Sequence, residues 1–107
     1  MRNLTSTPCT ISIGGTISEY VRVRGQFVGF YAPSLVNGAL YIRGSNDGGT
    51  TSGRVQKEDG SGDYATASTT GTICVVVPMH FPYSHIAIES SATQTTTARQ
   101  FTIVGKE

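Results

Sequence analysis

An all-β fold, an antiparallel β-sandwich or jelly roll of about eight strands, follows from three observations. Short segments alternate apolar and polar residues at period two, most clearly Leu40-Tyr41-Ile42-Arg43, which sends Leu40 and Ile42 to one face and Tyr41 and Arg43 to the other. Turn formers punctuate these segments, as in Asn46-Asp47-Gly48-Gly49, where Asn, Asp and Gly tolerate the positive φ of tight hairpins. No segment sustains a helical period. Ser and Thr supply about a quarter of the chain and Gly 13 of its 107 residues, which suits strands, turns and a neutral polar surface.

Taken in order, residues 1–8 carry no apolar pattern and include Pro8, so they are expected to form an extended N-terminal arm ahead of a single domain over 9–107. Cys9, Ile11 and Ile13 alternate with Thr10 and Ser12, a first strand that Gly14-Gly15 stops. Tyr20 to Arg24 alternates again, with Val21 and Val23 inward and Arg22 and Arg24 outward. Phe27 to Tyr31 forms a third strand, the turn-rich 33–38 a connector, and Leu40 to Arg43 a fourth strand. From Asn46 to Gly71 glycines interrupt the pattern, leaving a loose hairpin with short strands at Arg54-Val55-Gln56 and Tyr64-Ala65-Thr66. Thr72 to Val77 is a continuous apolar run, suited to a strand buried on both faces and ended by Pro78. An aromatic loop (79–84), the alternating His85 to Glu89, a polar loop (90–97) and a closing strand from Gln100 to Val104 complete the chain.

Composition excludes several function classes. Net charge is +1, and Arg2, Arg22, Arg24, Arg43, Arg54, Lys57, Arg99 and Lys106 are scattered, whereas a nucleic-acid binder needs a concentrated basic stripe. No stretch approaches the ~20 apolar residues of a membrane span. The N-terminus lacks the apolar core of a signal peptide, so synthesis and use without Sec export are expected. Charged residues make up only 14% of the chain, and low surface charge favours assembly with a partner over life as a dispersed monomer. Cys9 and Cys74 sit in strand-like runs and are expected as free, buried thiols.

No reaction is announced. His80 and His85 flank the aromatic loop, but a zinc site needs further ligands. Asp47, Asp59 and Asp63 lie in Gly-rich turns without the alternating oxygens and closing carboxylate of a calcium loop. Gly60-Ser61-Gly62 is a flexible tip rather than a nucleophile elbow. The expectation is a protein without catalytic residues, metal or cofactor. Tyr20, Phe27, Tyr31, Tyr41, Tyr64, Phe81 and Tyr83 are read either as ordinary sandwich aromatics or as a surface for protein or sugar.

The layout resembles a family of small virion proteins from tailed bacteriophages. The resemblance rests on the strand pair Thr10 to Gly14 and Ile17 to Val23, the apolar Phe27 to Ala32, and Leu40 to Gly49 with its Asn-Asp-Gly-Gly turn. It continues through the Pro-and-aromatic loop 78–83, the strand His85 to Ser91 and the ending Arg99-Gln100-Phe101-Thr102-Ile103. Family members often place an aromatic soon after the Asp-Gly turn, where Thr50-Thr51-Ser52-Gly53 stands here, so the Arg54-to-Tyr64 hairpin is expected to be specialised.

That resemblance implies a jelly-roll sandwich distantly similar to discoidin-type carbohydrate modules, acting as a capsid cement or decoration protein. Such a subunit bridges copies of the phage major capsid protein on the capsid exterior, after synthesis in the host cytoplasm, and self-associates as a dimer or trimer. The interface residues expected are Arg2, Leu4, Arg22, Arg24, Tyr41, Arg43, Phe81 and Tyr83. A tail or fibre component and a carbohydrate-binding module are the alternatives.

Overall fold

The computed structural model describes residues 4–32, 39–56, 61–63, 65–66, 73–76, 83–95 and 97–107. The elements among them are all strands: β1 (Leu4–Ile11), β2 (Val21–Arg22), β3 (Gln26–Ala32), β4 (Leu40–Ser45), β5 (Ser52–Arg54), β6 (Ala65–Thr66), β7 (Ile73–Val76), β8 (His85–Ser90) and β9 (Arg99–Lys106). They form a sandwich of two antiparallel sheets, as the alternation predicts. The first sheet has the order β1-β9-β3-β7 and the second β2-β8-β4-β5, with β6 sharing the β4 edge beside β5.

Period-two alternation fills the space between the sheets. The first sheet contributes Cys9, Ile11, Phe27, Phe30, Phe101 and Ile103, and the second Leu40, Ile42, Ile86 and Ile88, all buried in one cluster. Phe30 and Phe101 meet edge to face with centroids 6.3 Å apart, a geometry worth about 1 kcal/mol beyond the area buried. Burial pushes the Cys9 thiol up to about 11, with Ser18 pulling the other way by hydrogen bonding. It is therefore an inert core group at neutral pH.

The expected arm differs from what forms. Residues 4–8 pair with β9, from Leu4 opposite Lys106 to Pro8 opposite Thr102, so the arm is mostly sheet; residues 1–3 lie outside the described residues. Backbone pairing extends the strand past its apolar part, with Thr5 and Thr7 where alternation would ask for apolar side chains. Alternate N–H groups of an antiparallel strand point away from the partner. The Thr10 N–H, held by Glu19 Oε1 at 2.6 Å, assigns Leu4, Ser6, Pro8 and Thr10 to that outward set. Pro8 has no N–H to offer, so along this edge only Leu4 and Ser6 keep outward donors.

Other expectations shift by a few residues. The first strand ends at Ile11, and Ile13 is exposed rather than inward, because the Gly14 N–H turns to the carbonyl of Gln94. The strand after Tyr20 pairs with β8 over Val21 and Arg22 only. The apolar run at Ile73–Val76 stands at the end of the first sheet, bonded to β3. Cys9 is free. Cys9 pairs opposite Phe101 on β9, while Cys74 pairs opposite Tyr31 on β3, three strand steps from β1. At roughly 4.8 Å per step, the two cysteines are too far apart to bridge.

Candidate functional site

Three surfaces bear on function, and strand register places each of them.

The outward face of the second sheet carries Tyr41 and Arg43 on β4, Glu89 on β8 and Arg54 on β5. Arg54 grips Glu89 with two bonds, Nε to Oε1 at 2.9 Å and NH2 to Oε2 at 3.0 Å, and its third nitrogen reaches Asp63 at 3.2 Å. Arg43 donates to the same Glu89 at 3.0 Å, to Tyr20 Oη at 2.7 Å and to Ser52 Oγ at 3.2 Å. The Arg54 guanidinium also lies 3.9 Å above the Tyr41 ring, and Gln56 bonds Asp63. Hydrogen bonding from Arg54, then from Arg43, holds the Glu89 carboxyl below the usual carboxylate range. Tyr20 and Glu89 in turn raise the Arg43 pKa. Tyr41 and Arg43, expected at an interface, are thus tied into an internal network.

On the outward face of the first sheet the pattern reverses. Thr102 pairs with both Pro8 and Tyr31, Val104 with Ser6 and Gly29, and Lys106 with Leu4 and Gln26. Alternation against inward Cys9, Phe30, Phe101 and Ile103 directs these residues outward. The one charge among them is Lys106. Leu4 is 67% exposed and Tyr31 49% exposed.

The third surface is a cleft of about 450 Å³ lined by Gly44, Ser45, Asn46, Asp47, Thr51, Ser52, Gly53 and Tyr83. Its origin is the cross-strand pair Gly44–Gly53, where two side chains are missing from neighbouring strands. A Cβ on Gly44 would stand 2.6 Å from Tyr83 Cγ, so the tyrosine ring fills the place of that side chain and forms one wall. A Cβ on Gly53 would meet nothing within 4 Å, which is the open side. The opposite wall is the turn after β4. Ser45 Oγ accepts the Asp47 and Gly49 N–H groups at 3.2 and 2.9 Å and donates to Asp47 Oδ1 at 2.7 Å. Thr51 N–H also donates to that oxygen at 2.8 Å. These bonds, led by Thr51, lower the Asp47 pKa. The Thr51 side chain bonds the same carboxylate, so the turn holds Asp47 in place. Asn46 Oδ1 accepts the Ser84 N–H at 2.8 Å.

Of the residues expected at an interface, Tyr83 lines this cleft and Leu4 lies on the neutral face. Arg22 is exposed beside His85, and Arg24 is exposed and paired with Glu107 at 3.3 Å. Arg2 and Phe81 lie outside the described residues, as do His80 and Asp59. Ser84 Oγ contacts His85 Nδ1 at 2.8 Å. Among the described residues no carboxylate is bonded to the other ring nitrogen. Asp63 is engaged by Arg54 and Gln56, and Asp47 by its turn. Sequence reasoning missed the cleft because Gly44–Gly53 pairing is a register fact; Gly in a strand, which marks close approach, was its one signal.

No family model matches the chain, and no curated protein matches it. Among solved structures it is similar to a mutant of a family 29 carbohydrate-binding module, at 16% identity over 98% of this chain and 80% of that chain, with a TM-score of 0.46.

Proposed function

We propose that this chain is a non-enzymatic virion structural protein of a tailed phage, a cement subunit that docks on the expanded major-capsid-protein shell through the outward face of its first sheet. The supporting observation is the contrast between faces. The described residues directed outward from β1, β9 and β3 include Leu4, Tyr31, Val104 and hydroxyls with Lys106 as their one charge, so little ionic desolvation opposes docking there. Binding the expanded lattice alone stabilises it by mass action, and repetition over a symmetric array multiplies modest contacts. Self-association as a dimer or trimer belongs to the same reading. The test is co-sedimentation with expanded, decoration-free capsids and with unexpanded procapsids. Saturable binding to expanded shells, lost in Tyr31→Asp, is the expected result; no binding to either shell sinks the reading.

The cleft favours a second reading, a carbohydrate-binding module. An aromatic wall facing a few convergent polar groups is the usual build of a small-ligand site, and its volume falls within the common range of roughly 300–1,000 Å³. Glycan binding by the isolated protein, abolished by Tyr83→Ala, is what this reading requires.

A further inference from the structure

Resting on the self-association in the first reading, we infer that residues Leu4–Pro8 are an exchangeable strand, which leaves its own β9 and pairs in the same register with β9 of a second copy. The observation behind it is a change within β1 at Pro8. Pairing with β9 runs unbroken from Leu4 to Ile11, yet side-chain burial does not. Cys9 and Ile11 are buried in the core, whereas Leu4, Ser6 and Pro8 are exposed and Thr5 and Thr7 only half-buried. The Thr10 N–H is tied to Glu19 as well. Segments with few buried apolar contacts open at a small fraction of the global unfolding free energy. Residues 4–8 therefore part from β9 while residues 9–11 stay in place. Proline sets its own φ and biases the residue before it toward extended backbone, so Thr7-Pro8 keeps the released piece strand-like.

The vacated groove persists because other residues build it. At Gly105 a Cβ would collide with the Arg24 carbonyl oxygen and stand 2.7 Å from Thr5 Oγ1, so a missing side chain opens a slot on β9. Thr5, opposite Gly105 in register, fills that slot, and its Oγ1 donates to the Arg24 carbonyl at 3.0 Å. The carbonyl is held from its own side. Gly25, at φ 76°, packs on the Lys106 backbone, and the Val23 N–H donates to the Ser84 carbonyl at 3.1 Å. Neither contact involves residues 4–8, so the slot is complete without them. What it accepts is defined by its present occupant, an extended strand with a hydroxyl opposite Gly105. Addition outside β1 is obstructed, because Pro8 lacks an N–H and Glu19 covers the Thr10 N–H. Reciprocal exchange makes the same β1–β9 bonds in trans, so it closes as a two-fold dimer with no net loss of pairing.

The test uses the whole protein carrying Ser6→Cys and Val104→Cys together. These positions are opposite in register and form a non-hydrogen-bonded pair, with Cα atoms about 4.5 Å apart and within disulfide reach. Oxidised as a dilute monomer, with the new disulfide located by peptide mass spectrometry, this variant has its strand locked in cis. Parent, locked and reduced samples are then held at about 1 mM, where mass action favours association, and sized by light scattering. The expected result is a dimer in the parent and reduced samples and none in the locked one. Oxidising the reduced dimer should give a covalent dimer. Thr5→Val keeps the shape but removes the donor to Arg24, a bond made in both forms. It should therefore reach the monomer–dimer equilibrium ~3-fold faster and leave its position within about twofold. A locked monomer that dimerises like the parent, a parent that stays monomeric, or an unchanged rate in Thr5→Val overturns the inference. Co-sedimentation with expanded shells separates the two claims. Shell binding by the locked monomer leaves the cement reading standing when exchange fails, and exchange without shell binding sinks that reading alone.

Discussion

The two outward faces of the sandwich are built on opposite plans. On the second sheet, Arg43, Arg54, Glu89 and Asp63 meet one another within 2.9–3.2 Å, so these four charges are consumed internally, while Arg22 on β2 stays exposed. On the first, hydroxyls and a few apolar groups stand with Lys106 as the only charge among the described residues that alternation directs outward from β1, β9 and β3. A network with each charge matched gains little from a partner and loses much if one member is withdrawn. A neutral face has the opposite properties: changes to it hardly touch the fold and can alter what it meets. On the proposed function, stability resides in one face and docking in the other.

That division can be broken, and the largest expected effect tests it most severely. Glu89→Ala leaves Arg43 and Arg54 without their common carboxylate and should lower unfolding free energy by about 2 kcal/mol in urea titrations. A loss below ~0.5 kcal/mol would mean the charged face is ornamental. Gly44→Ala forces a methyl against the Tyr83 ring and should cost about 1–2 kcal/mol by overpacking, with the tyrosine displaced from the cleft in its NMR contacts.

Acid sharpens the comparison further. The Glu89 pKa is lower folded than its ordinary value of 4.5, because of Arg54 first and Arg43 next. Its contribution is complete above that ordinary value and fades as pH falls through the lower folded value. The melting-temperature gap between the parent protein and Glu89→Gln should thus be constant near neutrality and shrink below pH 4.5. Smallest of all on stability, Tyr31→Asp on the neutral face should shift unfolding by no more than ~0.5 kcal/mol. The same variant is the one expected to lose shell binding, and a variant that unfolds instead would erase the division.

The faces were legible in the sequence to different degrees. Leu40 to Arg43 and His85 to Glu89 alternate cleanly, so β4, β8 and their inward residues are readable from period two alone. The leading half of β1 was not, because Thr5 and Thr7 occupy its inward positions and the pairing to β9 is a contact between the two ends of the chain. Gln94 is another case: it lies in a stretch that reads as plain polar loop, yet it is buried. Its amide bonds to Ser90 Oγ and the Ala92 carbonyl, and its backbone bonds to Gly14 and Gly15, make burial tolerable. The Glu89–Arg54 pair spans 35 residues and depends on β4 lying between β5 and β8. Tyr83 was singled out, but the cleft beside it needed two glycines to meet across strands.

The treatment of the β1 edge has a consequence for solubility at high concentration. A bare strand edge invites another molecule to add a strand, and each addition exposes a fresh edge, so growth has no natural end. Here Pro8 removes one docking point and the Glu19 carboxylate occupies the next, interrupting that template along half of its length. A strand that added along β1 would thus meet an interruption at two of the four outward positions, Pro8 and Thr10.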